Sequence, residues 1–177
     1  MVCEDAPYVV GARTLLHKTD HFAEAYIEGR EFNLGLLERI SGVEVFPIAE
    51  ILFEGLEANA PKIVGFDAKW TPNSAHYIGT PRRFGLEHNE PELAKKLKRL
   101  ALASWTLFGL SGYARFDLRV DPTAAPFLID VNPNPFLAPD ASFVAAAAGA
   151  GLSYQDLIGR IVELAWSFAR QGAGFAA

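Results

Sequence analysis

The sequence predicts an α+β fold, an antiparallel sheet flanked by helices, on three observations. Short stretches in the first half alternate apolar and polar residues between tight connections, the mark of half-buried strands. Two longer stretches, one central and one near the end, repeat apolar residues at helical spacing behind residues that can cap a helix. Between them, residues 112–135 carry the signature of a two-strand hairpin.

The hairpin carries the chemistry. Tyr113 to Val120 alternates, Asp121-Pro122-Thr123 breaks the run, and a second apolar run starts at Pro126. Alternation sends Phe116, Leu118 and Val120 to one face and Arg115, Asp117 and Arg119 to the other. Asp130 and Asn132 share a face of the second strand. If the two polar faces coincide, the oxygens of Asp117, Asp130 and Asn132 converge beside a guanidinium and form a hard-cation site. Carboxylate and amide oxygens without His or Cys suit Mg²⁺, which completes its shell with water and phosphate oxygens. Spacing alone leaves a second reading open, a strand that simply ends in a turn of Asp, Asn and Pro.

Taken in order, residues 12–17 suggest a short helix, 23–27 and 31–37 read as strands about Gly29, 43–53 alternates around Pro47, and 62–66 is a short strand. Residues 67–88 lose periodicity and read as a long loop, a length that points to function or disorder in a compact domain. Asn89 is placed to cap the next helix with Glu92 as its partner. Leu93, Leu97, Leu100, Ala101 and Leu107 lie on its inner face, and Gly109 ends it. Its Lys95, Lys96, Lys98 and Arg99 read as a solvated face rather than a nucleic-acid patch, since the chain is acidic overall. The Ala-rich stretch 141–150 is helical and stops at Gly151. Ser153, with Asp156, caps a last helix whose inner face is Leu157, Ile161, Leu164 and Phe168.

Composition limits the function classes. The 177 residues suit one domain with a sizeable core. A net charge of −5 gives no general attraction to nucleic acid or to an anionic membrane surface. The lone Cys3 fits a reducing compartment. The most apolar run, residues 141–152, falls short of the about 20 residues that span a bilayer, so a cytoplasmic protein is expected. No companion signature marks Cys3 as a nucleophile, and His17, His21, His76 and His88 are assigned no chemistry.

Four blocks in order carry a family resemblance: Ala-Glu-Ala-Tyr-Ile-Glu-Gly-Arg-Glu-Phe (23–32), Phe66-Asp67-Ala68-Lys69-Trp70, Ala114-Arg115-Phe116-Asp117 and Ile129-Asp130-Val131-Asn132-Pro133. They resemble the C-terminal part of ATP-grasp ligases of the D-alanine:D-alanine ligase type, and the tail from Ala150 to Ala165 is similar to that family's closing helix. The resemblance implies an ATP-grasp large subdomain and the ATP- and Mg²⁺-dependent joining of a carboxylate to an amine through an acyl phosphate, with an amino-acid or peptide-like substrate. It places Glu24, Ala25, Tyr26 and Ile27 at the adenine, Glu31 at the ribose hydroxyls and Lys69 at a phosphate. Asp117, Asp130 and Asn132 would hold Mg²⁺, Arg115 would stabilise the charge in transit, and Ser142 would meet the substrate carboxylate.

Taken singly, Glu24 and Glu31 also read as a solvated strand edge, Lys69 as a surface lysine, and Arg115 as an ion-pair partner of a neighbouring Asp. Asp130 stands where the family usually has Glu, and Phe136 where the relatives commonly turn on a glycine. Before Glu24 nothing matches the family's strand lysine, Gly-rich phosphate loop or substrate-binding domain. The expectation is therefore one domain over residues 1–177 that lacks an N-terminal half, active with that half or left as a non-catalytic nucleotide-binding module. A homodimer would pair through the halves this stretch lacks.

Overall fold

In a computed structural model that describes residues 24–55, 62–65, 68–69, 71 and 73–173, six strands form one antiparallel sheet. They are β1 (Arg30–Arg39), β2 (Gly42–Val45), β3 (Ala49–Ile51), β4 (Arg82–Arg83), β5 (Tyr113–Val120) and β6 (Pro126–Asn132). The helices are α1 (Ala75–Ile78), α2 (Leu86–Asn89), α3 (Pro91–Leu107), α4 (Ser142–Gly149) and α5 (Tyr154–Ala173). The strand order is β4-β3-β1-β5-β6, with β2 also paired to β1. The expected helix at 12–17 lies outside the described residues.

Strand alternation gives the sheet two unlike faces. Phe32, Leu34 and Leu36 of β1 and Ala114, Phe116, Leu118 and Val120 of β5 point to one side and bury against Leu97, Ala101 and Trp105 of α3. On the other side, α4 and α5 cover only one end of the sheet, where Leu37 packs with Phe46, Phe143, Val144, Ala147, Leu152 and Leu157. The middle of this second face holds Glu31, Asn33, Arg115, Asp117, Arg119, Asp130 and Asn132, by register. Gly35 marks the boundary, because a Cβ there would stand 3.0 Å from ring carbons of both Phe46 and Phe143.

Three helix ends follow their sequence signals. Gly109, at φ +59°, closes α3: its N–H bonds the Thr106 carbonyl and that of Leu110 bonds Trp105. Gly151, at φ +85°, closes α4 the same way through Ala148, with Leu152 bonding Ala147. Ser153 and Asp156 bond reciprocally at the head of α5, the Asp156 N–H donating to Ser153 Oγ and that hydroxyl to Asp156 Oδ2.

Several expectations are corrected. Residues 24–28 and 62–65 form no strand; the Ile27 and Lys62 carbonyls bond the Arg119 side chain rather than a neighbouring strand. Within 67–88 the chain adds α1, α2 and the short strand β4, which pairs with β3. Asn89 ends α2 instead of capping α3: Glu90 takes the cap position ahead of Pro91 and makes no side-chain cap bond. Leu107 is 80% exposed, since it lies off the stripe of Ala94, Leu97, Ala101, Ser104 and Trp105 that α3 buries. Among the described residues, no helix is long and apolar enough to cross a membrane.

Candidate nucleotide and metal site

The polar face is built by register. Along β5, Arg115, Asp117 and Arg119 stand opposite Gly35, Asn33 and Glu31 of β1 on one side and Asn132, Asp130 and Phe127 of β6 on the other. A bulge makes this possible. Leu118 pairs with Leu128 although Asp117 pairs with Asp130, so Ile129 is the extra residue, half exposed. Without it, strict alternation would put Leu128 on the face that carries Asp130 and Asn132. The bulge lets Leu128 stay in the core while both ligand candidates share the open face.

At the centre, Asp117 Oδ1 accepts from Asn33 Nδ2 at 2.9 Å and from Arg115 Nε at 2.7 Å, and Oδ2 accepts from Arg115 Nη2 at 2.8 Å. The Arg115–Asp117 pair is bidentate and largely buried. Burial pushes the Asp117 carboxyl above its ordinary range, and the charge of Asp130 adds to the rise against the pull of Arg115 and Lys69. Glu31 is also raised, by burial first and by Asp117 in addition, against Arg119 and Lys69. At both carboxylates burial outweighs the pull of the neighbouring cations.

The donor set suits a hard cation. Asp117 and Asp130 are cross-strand partners, and Asn132 follows Asp130 on the same face, across from Arg115. Asp117 Oδ2 and Asn132 Oδ1 each accept one hydrogen bond, the latter from the Asn134 N–H at 2.9 Å, so each oxygen keeps a lone pair. Among the described residues no group of three or more His, Cys, Asp or Glu is gathered, so an ion here depends on the Asn132 amide as third protein ligand. Carboxylate and amide oxygens without sulfur or imidazole select Mg²⁺-like ions.

Other expected residues fall in different places. The positive charge of Lys69, an exposed residue, reaches both Glu31 and Asp117. Tyr26 and Ile27 are half-buried and tied to Arg119, through the Tyr26 ring and the Ile27 carbonyl, whereas Glu24 and Ala25 are exposed. Ser142 lies at the first turn of α4, where its hydroxyl meets Arg82 Nη1 at 3.4 Å rather than any residue of the acidic cluster. Sequence reasoning missed Asn33 and Arg119 as site residues. Both were legible by alternation, two positions on from Glu31 and from Asp117. A separate polar hollow lined by Arg30, Glu50, Arg83 and Glu90 is self-compensating: Arg30 binds both carboxylates and Arg83 binds Glu50.

Comparison with known proteins agrees with the fold. The family model described as the D-ala D-ala ligase C-terminus matches residues 11–163. A D-alanine–D-alanine ligase of Pelotomaculum thermopropionicum is 31% identical over 89% of this chain and 46% of its own length. An uncharacterized protein of Sinorhizobium fredii, y4sG, is 34% identical over 82% of the chain and 41% of its own length. Among solved structures, the D-alanine–D-alanine ligase of Bacillus anthracis complexed with ATP superposes with a TM-score of 0.68 at 19% identity, over 97% of this chain and 50% of that one. The VanG D-Ala:D-Ser ligase of Enterococcus faecalis gives 0.61 at 18% identity, over 89% and 43%. The chain thus spans about half the length of the curated relatives it matches. Its antiparallel sheet with flanking helices is the C-terminal ATP-grasp subdomain of those ligases, and the chain belongs to the D-ala D-ala ligase C-terminus family.

Proposed function

We propose that this chain is the nucleotide- and metal-binding part of an ATP-dependent carboxylate–amine ligase. The observation that supports this most is the open sheet face on which Arg115 and Asp117 oppose Asp130 and Asn132, with Glu31 and Lys69 within electrostatic reach, in a chain of this family. The segment from Glu24 through Ala25 and Tyr26 to Ile27 would meet the adenine, Glu31 the ribose hydroxyls and Lys69 a phosphate as a point charge. Asp117, Asp130 and Asn132 would hold Mg²⁺, which when bound neutralises charge on the phosphate oxygens. Ser142, next to Arg82, would take the substrate carboxylate. The use of ATP and a single cysteine would fit a cytoplasmic setting.

In the reaction, a carboxylate oxygen attacks the terminal phosphorus of ATP, the bond to the bridging oxygen breaks, and ADP leaves. The amine nitrogen then attacks the acyl carbon, loses a proton, and the C–O bond breaks with phosphate taking the electron pair. Arg115, pre-oriented by its two bonds to Asp117, stabilises negative charge as it develops. Lys69 positions the phosphate it meets.

The opposite wall of the site, with the acyl substrate's remaining contacts, belongs to a second half carried by the same polypeptide or by a separate one. A second reading, a nucleotide-binding module without turnover, draws on Phe136, which stands where the family resemblance expects a glycine amide at the oxyanion. Hydroxylamine trapping separates the two. The polypeptide that carries this chain, given Mg·ATP, hydroxylamine and a panel of amino and hydroxy acids, should form a hydroxamate with stoichiometric ADP. Nucleotide binding with no ADP and no hydroxamate from any acid would leave only the second reading.

A further inference from the structure

We infer that Arg119 is a positioning residue for the nucleoside end of the ligand, locking the irregular segment around Tyr26 and the Glu31 carboxylate into one rigid wall. The inference rests on the nucleotide reading above and adds a residue that reading does not use.

Arg119 lies two positions beyond Asp117 on the same face of β5, directly opposite Glu31. It is only 5% exposed. Its guanidinium donates four hydrogen bonds, from Nε to the Ile27 carbonyl at 2.6 Å, from Nη1 to Glu31 Oε2 at 2.9 Å and the Lys62 carbonyl at 2.6 Å, and from Nη2 to the Gly29 carbonyl at 3.0 Å. The Tyr26 ring sits over it, 5.3 Å from the guanidinium carbon.

Residues 24–28 and 62–65 join no strand, and a carbonyl from each, Ile27 and Lys62, is satisfied by the Arg119 side chain instead. One planar fork supplies it for both segments, a geometry that ammonium cannot copy. The same fork fixes Glu31, whose other oxygen is then free of Arg119 and available to hydroxyl donors. Gly29 closes the arrangement. At φ +134° its missing side chain lets the segment run against β5, where a Cβ would come within 2.0 Å of the Val120 carbonyl oxygen.

The consequence is a division of the polar face along β5. Arg115 and Asp117 serve the phosphate and metal end, and Arg119 serves the base and ribose end. A ligand with a nucleoside feels both ends, whereas one made only of phosphates feels the first. Loss of Arg119 should therefore be selective, which a purely structural role would not be.

The test is an NMR chemical-shift titration of the wild-type chain, Arg119→Lys and Arg119→Met with Mg·ATP and, separately, with magnesium tripolyphosphate. Thermal melts establish which variants fold. Arg119→Lys keeps a cation beside Glu31 and carries the test if Arg119→Met fails to fold. The expected result is a loss of about tenfold or more in Mg·ATP affinity for each folded variant, with tripolyphosphate affinity within about twofold of wild type. An equal loss for both ligands, or Mg·ATP affinity within about twofold of wild type in Arg119→Lys, overturns the inference. If the wild-type chain binds tripolyphosphate but not ATP, or binds neither, the nucleotide reading itself fails and takes the inference with it.

Discussion

Gly35→Ala isolates the contact that bounds the functional face. Gly35 sits mid-strand in β1, outside the left-handed region, so alanine meets no backbone strain and by itself would gain the usual stabilisation of about 0.5–1 kcal/mol from a stiffer unfolded chain. The added Cβ, however, would stand 3.0 Å from ring carbons of Phe46 and Phe143. Both rings are fully buried, and they pack on one another at 5.4 Å between centroids with Tyr113 beyond at 5.6 Å, so neither can swing aside cheaply. Overpacking of this kind costs about 1–3 kcal/mol and should outweigh the gain. For a chain of this size the mid-range net loss of about 1 kcal/mol lowers Tm by roughly 2–4 °C in calorimetry. Phe143→Leu removes a clashing ring carbon, so the Gly35→Ala, Phe143→Leu double variant should be more stable than the sum of its single losses predicts, by about 1 kcal/mol. If Gly35→Ala raises Tm, or the two changes add without coupling, then α4 does not rest on the β1 backbone and the edge of the polar face is drawn wrongly.

Further outcomes follow from the same structure. Leu97→Ala, at the centre of the α3–sheet contact, should cost about 2–5 kcal/mol in denaturant unfolding without altering the polar face. Burial alone would push Glu50 up, but the hydrogen bonds from Arg30 and Arg83 outweigh it and hold its carboxyl below the ordinary range. Its stabilising contribution is therefore present above the usual carboxylate pKa and is lost as pH falls through the depressed value. Glu50→Gln should flatten the acid limb of a Tm-against-pH profile. Asp117 has the opposite sign. Burial raises it, so stability falls as pH climbs from its ordinary value through the raised one, and Mg²⁺ should relieve that cost. The Tm gain from millimolar Mg²⁺ should be large at neutral pH and small near about pH 4, and should vanish in Asp130→Ala.

How far the sequence could be read depended on which physics set each feature. The β5–β6 hairpin, the glycine stops after α3 and α4 and the Ser153 cap were legible because alternation and capping are local. The sharing of one face by Asp117, Asp130 and Asn132 was legible only in part. It relies on the Ile129 bulge, and a one-residue slip in strand phase leaves no distinct mark in Phe127-Leu128-Ile129-Asp130. Residues 23–27 and 62–66 read as strands because they are apolar and β-branched in part, yet the Ile27 and Lys62 carbonyls bond Arg119, a tertiary choice that no local window contains. The same holds for the Arg30, Glu50, Arg83 and Glu90 network, whose members lie up to 60 residues apart. Ser142 was assigned to a carboxylate by resemblance, and its neighbour Arg82 became visible only when β4 paired with β3.

Mg·ATP binding by wild type and by Asp130→Ala, measured by calorimetry with Mg²⁺ in excess and again in EDTA, bears most directly on the acidic face as the nucleotide–metal site. The account predicts Mg²⁺-dependent binding by the wild-type chain and its loss in a folded Asp130→Ala, since removing a carboxylate at an open face leaves no cavity. Equal Mg·ATP affinity in the two proteins would contradict it.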